Sequence, residues 1–367
     1  MKRISLFLLL FLLLKATVMY SQDGHPETNF RIVPVSPNAA SLGTFGMIPT
    51  DNYVGQANLT IPIYEIDLDG KKFPIALSYH TDGTRVAQEA TWIGLGWTLQ
   101  AGGCVVRQVQ GTDDFAARGC YNLTDAPWLT NPRFEVTDQN LEKYMGYFKG
   151  DYDAEPDMFY FNAGGHSGSM YFDVLKNNRQ LNAVPTIQTQ EKVVKMVYNT
   201  SNKTWTMTDL EGYVYSFSTK EITYYFLNTI DFFQTDITRS HIFPYYNEPQ
   251  IVTAWMLDSV TSPNGGKIMF SYKKESIFTP ISTTEDVISL SKIVNGQLSS
   301  QSPQYFTNKF NYNYSYSKIE QWTLSAITFE GGKVEFGTTD REDIESAETG
   351  KKVQKLSSIK VSDTAGN

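Results

Sequence analysis

The sequence contains few of the side chains that most often bind metals or act as nucleophiles. Its 367 residues include 2 cysteines and 4 histidines. None of the histidines lies in a metal-binding spacing such as H-E-x-x-H, so we assign no metal ligand. Two cysteines also exclude a dense disulfide framework. Cys104 and Cys120 either form a single bridge in an exported chain or remain two buried thiols, and the sequence leaves both alternatives open.

Positive charge is also scarce. The chain has 31 Lys and Arg residues against 39 Asp and Glu residues, which gives a net charge of −8. Removal of residues 1–21 would remove Lys2, Arg3 and Lys15, leaving 28 basic against 39 acidic residues and a net charge of −11. An acidic chain is a poor partner for nucleic acid or for an anionic membrane surface. We therefore expect no nucleic-acid partner.

The N-terminus carries a short hydrophobic run. Lys2 and Arg3 precede an uncharged stretch from Ile4 to Leu14, and this order is typical of a secretion signal. The stretch is shorter than the roughly 20 residues that span a bilayer, which disfavours a membrane anchor. We predict a cleavable signal peptide over residues 1–21 and a secreted or cell-surface protein, whose attachment to the cell the sequence leaves open.

Aromatic residues are abundant, with 22 Tyr, 22 Phe and 6 Trp, and they favour half-buried strands. The pattern is clearest between residues 56 and 114. Phe73 and every second residue up to Tyr79 are apolar and alternate with small or polar residues, which predicts a strand. Asp69-Gly70 predicts a tight hairpin turn before it. A phase change near Pro62–Tyr64 predicts a β-bulge in the preceding strand.

Similar hairpins recur along the chain. The clearest units combine an aromatic strand, a glycine turn and an alternating strand, and the turns fall at residues 163–168, 209–212, 263–266 and 330–332. Because one hairpin cannot bury its apolar face alone, successive hairpins must pair edge to edge. We predict an all-β fold in which successive antiparallel hairpins form curved sheets or packed β-sandwich-like units, with a minor helix.

Changes of composition divide the chain into six predicted segments. In chain order they are the signal peptide (1–21), an extended leader (22–50), a first β-unit with a loop excursion (51–150), a second β-region of hairpins (151–285), a polar insertion (286–318), and a final hairpin with the start of a truncated repeat region (319–367).

The motifs that resemble catalytic or phosphate-binding sites lack essential parts. His166 and Ser167 lie between glycines, but the pattern misses the G-x-S-x-G elbow and falls between two strands. We interpret it as a hairpin tip. The segment Asn264–Lys267 ends like a phosphate-binding loop, but it lacks the earlier glycine and the following Ser or Thr. We interpret it as a turn.

Clustered acids suggest two further sites. Asp151, Asp153, Glu155 and Asp157 alternate, but a twelve-residue calcium loop starting at Asp151 would place Pro156 and Asn162 where glycine and glutamate belong. We expect a solvated acidic turn there and keep a non-standard calcium site as the alternative.

A glycosidase needs two carboxylates in one cleft. The sequence brings together no two of the available acids, which include Asp113, Asp114, Glu211 and Glu342. We expect a charged turn with local salt links over residues 340–343. We assign no catalytic or cofactor-binding residue, expect no cofactor, and predict that the chain is not an enzyme.

Tryptophans allow either core packing or stacking against sugars. Trp128 lies in the loop excursion, and it is the indole we expect to be exposed to a glycan. A core role is expected for the tryptophans in strand-like or glycine-flanked settings, because buried area dominates the energetics of aromatic residues. These are Trp92, Trp97, Trp205, Trp255 and Trp322.

Several short motifs occur in a recognisable order. They are Pro37 to Gly43, Ile61-Pro62-Ile63-Tyr64, Leu77-Ser78-Tyr79-His80, Gly94-Leu95-Gly96-Trp97, Ala101-Gly102-Gly103 with Arg107 and Gly111, Asp157 to Asn162 with Gly165, Ser167 and Gly168, Trp255-Met256-Leu257 with Asn264-Gly265-Gly266, and Arg341-Glu342-Asp343. In this order they resemble the N-terminal region of secreted YD-repeat (Rhs-type) proteins from Bacteroidetes. That region is similar to the N-terminal part of insecticidal-toxin B subunits and SpvB-type toxins.

The resemblance covers most of the chain after residue 21. It implies a non-catalytic secreted scaffold that helps to build and plug a repeat shell. The implied partners are a downstream YD-repeat shell and its C-terminal cargo, in the same or a neighbouring chain. The tandem Tyr-Asp repeats of the family do not occur in this sequence, so we expect a truncated chain or a divergent short version. The alternatives are a carbohydrate-binding or adhesin-type cell-surface module and, second, a carbohydrate-active enzyme. The oligomeric state is open.

Overall fold

The computed structural model describes most of the chain after residue 57. The described residues are 35–39, 58–80, 88–111, 113–116, 119–122, 141, 153, 155–173, 182–188, 194–231, 250–280, 282–288, 293–294, 297–298 and 309–366. Secondary structure in these ranges is mostly antiparallel strand, which confirms the predicted all-β fold. Helical backbone is minor and includes residues 37–39 and a 3-10 turn at Cys120–Asn122. Within the described ranges, no helix is long and apolar enough to cross a membrane.

Three strands form a small sheet at the start of the described fold. They are β1 (Asn58–Leu68), β2 (Lys71–His80) and β3 (Trp97–Gln100), in the order β1–β2–β3. The turn between β1 and β2 places Asp69 at φ 52° and Gly70 at φ 93°, as a tight hairpin turn of this composition requires. The register shifts between Pro62 and Tyr64, where the phase change predicted a bulge. Both predictions are confirmed.

A second, 14-stranded sheet contains most of the remaining strands. Its strands are β4 (Gly103–Gln108), β5 (Met158–Ala163), β6 (His166–Tyr171), β7 (Asn182–Ala183), β8 (Thr186–Ile187), β9 (Val194–Asn199), β10 (Thr204–Asp209), β11 (Val214–Asp231), β12 (Gln250–Thr261), β13 (Lys267–Phe278), β14 (Ser282–Ile288), β17 (Lys309–Phe329), β18 (Gly332–Asp340) and β19 (Gln354–Asp363). Two short strands, β15 (Ile293–Val294) and β16 (Gln297–Leu298), pair with each other. The predicted glycine-turn hairpins are confirmed as β5–β6, β10–β11, β12–β13 and β17–β18.

Four strands of the large sheet form a closed circuit of pairing. β11 pairs with β12 over residues 214–224 and with β17 over residues 222–231. β13 pairs with β12 through residues 267–269 and with β17 through residues 268–278. The long strands β11 and β17 thus change partner along their length. The β11–β12 and β13–β17 pairs therefore form two walls that are joined at both ends.

Aromatic side chains from several hairpins meet in the main core. The Trp205 ring centroid lies 4.8 Å from that of Tyr198, 5.3 Å from Phe159, 5.7 Å from Phe172 and 6.1 Å from Trp255. All five side chains are fully or almost fully buried. Burying one such ring stabilises a fold by about 1.5–3 kcal/mol, so this cluster ties together the strands that supply it.

The small sheet packs against the large one through apolar side chains from each of its three strands. Ile66, Leu68, Ile75 and Leu99 point into the main core. The backbone then turns at residues 101–102, where Gly102 has φ +84°, and continues as β4 of the large sheet. The chain therefore passes directly from the small sheet to the large one through this two-residue turn.

The division into six segments stays a prediction, but one part of it differs from the structure. Residues 309–318, assigned to the polar insertion 286–318, belong to β17 and pair with both β11 and β14. Aromatic residues at every second position from 310 to 316 fit a strand, but the intervening Asn and Ser residues made the segment resemble a surface loop. The leader 22–50 lies outside the described residues except for 35–39, and so does nearly all of the chain from 123 to 152, including Trp128.

Candidate functional site

His166 and Ser167 lie at the start of β6. The tip of the β5–β6 hairpin is Gly164-Gly165, with φ values of +59° and +81°, so the predicted glycine hairpin is confirmed. His166 Nε2 is 3.7 Å from Asp209 Oδ2, while Ser167 is exposed. The histidine therefore faces a buried carboxylate that sequence reasoning did not single out.

Asp209 is the centre of a polar junction between hairpins. Its Oδ2 accepts hydrogen bonds from Lys71 Nζ at 2.6 Å and from the Tyr215 hydroxyl at 3.1 Å. Its Oδ1 accepts the backbone N–H groups of Glu211 and Tyr213 at 3.0 and 2.9 Å. Burial opposes ionisation of Asp209, but the bonds from Lys71 and Tyr213 outweigh it and lower the pKa of this carboxyl below its usual value. Asp209 is thus a charged anchor for three hairpins.

The tip of the β1–β2 hairpin is held by two other hairpin tips. The Tyr213 hydroxyl, at the β10–β11 turn, donates to the carbonyl of Leu68 at 3.0 Å. The Ser262 hydroxyl, at the β12–β13 turn, donates to the Asp69 carboxylate. The predicted turn over Asn264–Lys267 is confirmed here, since Gly265 has φ +93° and donates its N–H to the Ser262 carbonyl. This junction holds the small sheet on the large one.

A second polar cluster surrounds Arg107 on β4. Its Nε donates to Asp157 Oδ2 at 2.8 Å, and its guanidinium also bonds to Asp113. The guanidinium lies over the rings of Phe115 and Phe159, 5.1 and 5.6 Å from their centroids. Arg107 directly follows the uncharged run Gly103–Val106 in its strand. A single charge at such a position predicts a buried charged group that must find a partner, and this signal could have identified Arg107.

Asp114 and Asp157 are neighbouring carboxylates in this cluster. The Asp157 N–H donates to Asp114 Oδ2 at 2.9 Å, and the Asp114 N–H donates to Asp157 Oδ2 at 3.1 Å. Burial and the nearby Asp157 carboxylate raise the pKa of Asp114 to about 8. Burial also raises the pKa of Asp157, against the attraction of Arg107. Two carboxyl groups do meet, but they are buried around an arginine.

The other acids named from the sequence are dispersed. Glu211 is exposed and lies 3.0 Å from Lys71 Nζ. Glu342 is exposed within the charged turn predicted over residues 340–343. That turn is confirmed, because Arg341 bonds to both carboxylate oxygens of Asp343 at 2.7 and 2.6 Å.

The described acids of the alternating set, which are Asp153, Glu155 and Asp157, do not form a metal-binding group. Asp151 lies outside the described residues. Asp153 and Asp157 are buried, whereas Glu155 is exposed and donates its N–H to Asp153 Oδ1. In the part of the chain that the structure describes, no group of three or more His, Cys, Asp or Glu side chains is placed to hold a metal ion.

Both cysteines are buried free thiols, which is the second of the two alternatives that the sequence left open. Burial raises the pKa of the Cys104 thiol well above its usual range and that of Cys120 to about 12. Neither thiol is poised as a nucleophile, because nucleophilic cysteines need a depressed pKa and access to solvent.

The tryptophans largely occupy the core, as expected. Trp92, Trp205 and Trp255 are buried, while Trp97 and Trp322 are half-buried. The indole N–H of Trp255 donates to the Lys203 carbonyl at 2.8 Å, and that of Trp322 to the Lys220 carbonyl at 2.7 Å. These five indoles therefore serve mainly to join strands.

A cleft of about 330 Å³ lies between the two sheets. Its walls include the rings of Phe73 and Phe270 and the side chain of Leu99, while Asn162 and Ser167 supply polar atoms. Ligand sites in proteins combine mostly apolar walls with a few polar groups, at volumes from roughly 300 Å³. The cleft has the composition and the minimum size of a small-ligand site.

Comparisons with known proteins give low similarities. No protein-family model and no curated protein sequence matches the chain. A crystal structure of TcdB2-TccC3-Cdc42 aligns with 84% of this chain and 13% of its own chain, at 10% identity and a TM-score of 0.35. The Photorhabdus luminescens Tc holotoxin pore aligns with 90% of this chain and 13% of its own, at 9% identity and a TM-score of 0.34.

A smaller solved domain aligns over nearly its full length. The N-terminal domain of the effector protein SpvB from Salmonella typhimurium strain LT2 aligns with 83% of this chain and 98% of its own, at 10% identity and a TM-score of 0.31. The chain spans about an eighth of the two toxin-complex chains. The motifs predicted a resemblance to YD-repeat proteins from Bacteroidetes, and both the repeat family and the bacterial group stay predictions.

Proposed function

We propose that the protein is a non-catalytic secreted scaffold, the shell-building N-terminal region of a YD/Rhs-repeat, polymorphic-toxin-like protein. The observation that carries the proposal is the continuity of the large sheet. Its 14 strands run from β4 to β19, and four of them close on themselves as a circuit. A sheet of this kind suits a structural role, because its hairpins pair with neighbouring strands that stabilise them.

The use of the polar side chains also supports a structural role. Asp209, on the β10–β11 hairpin, contacts Lys71 of the β1–β2 hairpin and His166 of the β5–β6 hairpin, and so joins three hairpins. Arg107 and Asp157 join β4 to the start of β5 from within the core. Charged groups in a catalytic site must reach a substrate, whereas these are enclosed by the strands that they hold.

The proposed partners are a downstream YD-repeat shell and its C-terminal cargo, in the same or a neighbouring chain. β19 offers a route for such an association. Among the described residues it pairs as a strand with β18 alone. Leu356, Ile359 and Val361 pack on the main core while staying half-exposed. A further strand could add to the outer edge and cover these side chains.

The scaffold proposal is tested in the source organism. An epitope tag inserted at the exposed turn at Gly350, where there is open space around the backbone, allows the protein to be purified from cells and medium. We expect electron microscopy and mass spectrometry to show the tagged region within a closed β-rich shell that contains Tyr-Asp repeats. An untagged strain is the control. Recovery of the tagged chain as a free monomer, with no repeat protein attached, would contradict the proposal.

A second candidate function, carbohydrate binding, is favoured by the cleft between the sheets. Two phenyl rings beside amide and hydroxyl groups could stack on and bond to a neutral sugar unit. Ser167→Trp should fill the cleft without removing core packing, since Ser167 is exposed. If the cleft binds glycans, signals on a glycan array will fall at least tenfold in this variant but not in Leu210→Ala, whose site is exposed and outside the cleft. Equal signals in the two variants would remove this candidate.

A further inference from the structure

A short N-terminal segment is buried inside the fold. Residues 35–39 contact both walls of the strand circuit. Ser36 and Ala39 are 0% exposed and Asn38 is 6% exposed. The segment precedes β1 by some twenty residues, yet it lies against strands from the second half of the chain. We call residues 35–39 the inserted segment.

Polar contacts fix the inserted segment at three places. The Ser36 N–H donates to Glu221 Oε1 on β11 at 2.8 Å. The Asn38 side chain accepts the N–H of Trp92 at 2.9 Å and reaches Gln321 Oε1 on β17 at 3.4 Å. Asn38 therefore connects β17 with the stretch of chain that leads into β3. Asparagine is suited to both contacts, because its side-chain amide has an oxygen that accepts hydrogen bonds and an NH₂ group that donates them.

The apolar contacts of the inserted segment lie in one small cluster. Ala39 packs there with Cys104, Val106, Ala254 and Met256, and the half-buried side chains of Val35, Tyr272 and Trp322 pack against this cluster. A cavity of about 30 Å³ borders Asn38 and Ala39. Glu221 Oε2 is buried and has no hydrogen-bond partner. This region therefore contains a small cavity and a carboxylate oxygen without a hydrogen-bond partner.

The strand pairings of the described sheets do not include residues 35–39. Removing the segment would therefore break side-chain bonds and one small cluster, but no ladder of the sheet. Local opening is favoured where few backbone bonds and little apolar area must be given up. The segment fulfils both conditions, although its residues are buried.

We propose that residues 35–39 act as a lock that opens locally, without global unfolding, and that Asn38 is the residue that controls it. In the closed state the lock seals Cys104 and Glu221 between the two walls. In the open state the strand circuit persists, and the groove left between the walls exposes Cys104. The proposal concerns a conformational device and holds whether or not the scaffold belongs to a repeat shell.

Cys104 supplies the measurement, because it is buried in the same small cluster as Ala39. The chain carries Cys120→Ser, so that only Cys104 can react. Its rate of modification by a thiol reagent is measured in low concentrations of urea. The test variant is Asn38→Ala. The control is Ser262→Ala, which removes partly buried hydrogen bonds to Asp69 and Gly266 at the β12–β13 turn, away from the inserted segment.

We expect Asn38→Ala to raise the modification rate of Cys104 about tenfold or more. The reason is that the variant loses one or two hydrogen bonds that stabilise the closed state. Ser262→Ala should leave that rate within about twofold while lowering the midpoint of global unfolding. The rate in the parent chain should depend little on urea, because local opening exposes little surface.

Two results would overturn the proposal. One is a Cys104 rate that rises with urea as steeply as global unfolding does. The other is an equal increase of the Cys104 modification rate in Asn38→Ala and Ser262→Ala. If Asn38→Ala fails to fold, Asn38→Asp replaces it, because the carboxylate keeps the acceptor for Trp92 and loses the donor to Gln321. The same two outcomes then decide.

Discussion

Arg107 and Asp157 form a hydrogen-bonded ion pair in the interior, with 2.8 Å between Arg107 Nε and Asp157 Oδ2 and with side chains that are 1% and 0% exposed. Desolvating two charges is costly, and the pair persists because each partner compensates the other. The Gln110 N–H adds a bond to Asp157 Oδ1 at 2.7 Å.

The pair predicts a large effect for removing one partner. Arg107→Met should lower the free energy of unfolding by about 3–5 kcal/mol, because it leaves Asp157 buried without its counter-charge. The exposed pair Lys333–Glu335 is the control, and Lys333→Met should cost less than about 1 kcal/mol. Urea denaturation of the two variants measures both values. Equal, small losses would show that Arg107 does not neutralise a buried charge.

The raised pKa of Asp114 predicts a specific pH dependence. In the fold this pKa is about 8, against an ordinary value of 3.8. Between these values the folded chain holds a proton that the unfolded chain releases, so the contribution of Asp114 to stability is lost as the pH rises from about 4 to about 8. Asp114→Asn cannot ionise and keeps an acceptor for the Asp157 N–H.

The comparison is made between the two pH profiles, since Asp157 and Glu221 also have raised pKa values. We expect Asp114→Asn to gain stability relative to the parent chain as the pH rises from 5 to 8, measured by thermal unfolding. A constant difference across this range would mean that Asp114 is already ionised at pH 5.

Close backbone approach makes Gly103 irreplaceable. A Cβ added there would lie 2.4 Å from the carbonyl oxygen of Asn162 and 2.7 Å from Ala163 Cβ. Because backbone atoms cannot move aside cheaply, Gly103→Ala should cost more than about 3 kcal/mol or prevent folding. Gly331→Ala is a matched control, since its Cβ would meet only the Phe329 ring at 3.2 Å. We expect it to fold normally, and similar unfolding midpoints for the two variants would refute the close approach.

Trp205 and Trp255 differ in the satisfaction of their indole nitrogens. Both are buried, but Trp255 Nε1 donates to the Lys203 carbonyl at 2.8 Å, whereas Trp205 Nε1 has no partner. Replacement by phenylalanine removes similar volume at the two sites. Trp255→Phe should therefore cost about 0.5–1.5 kcal/mol more than Trp205→Phe, because only Trp255 loses a hydrogen bond. Chemical denaturation decides the order, and the reverse order would contradict the assignment.

Local features of the fold were well predicted from the sequence. The Asp69-Gly70 turn, the bulge near Pro62–Tyr64 and the recurring hairpins depend on residues that are neighbours in the chain. Period-two alternation identified β2 as a strand, although both of its faces include buried residues, Ile75 on one and Ser78 on the other. The strand over residues 309–318 was missed, because polar residues between its aromatics weakened the local signal.

The polar clusters could not be predicted in the same way. Asp209 meets Lys71 and His166 across large separations in sequence, and Asn38 meets Gln321 across 283 residues. No local pattern marks such pairs. The candidate acids Asp113 and Asp114 were named from the sequence, but the contact of Asp113 with Arg107 and the burial of Asp114 were not.

By itself the sequence determined the class of the fold and its hairpins, because alternation and turn chemistry act between neighbouring residues. Tertiary structure alone decided which hairpin tips meet, how β11 and β17 change partners to close the circuit, and that residues 35–39 enter it. These outcomes depend on the docking of distant surfaces. Docking is set by the burial of apolar faces and by the pairing of buried charges, which become definite only when the whole chain has folded.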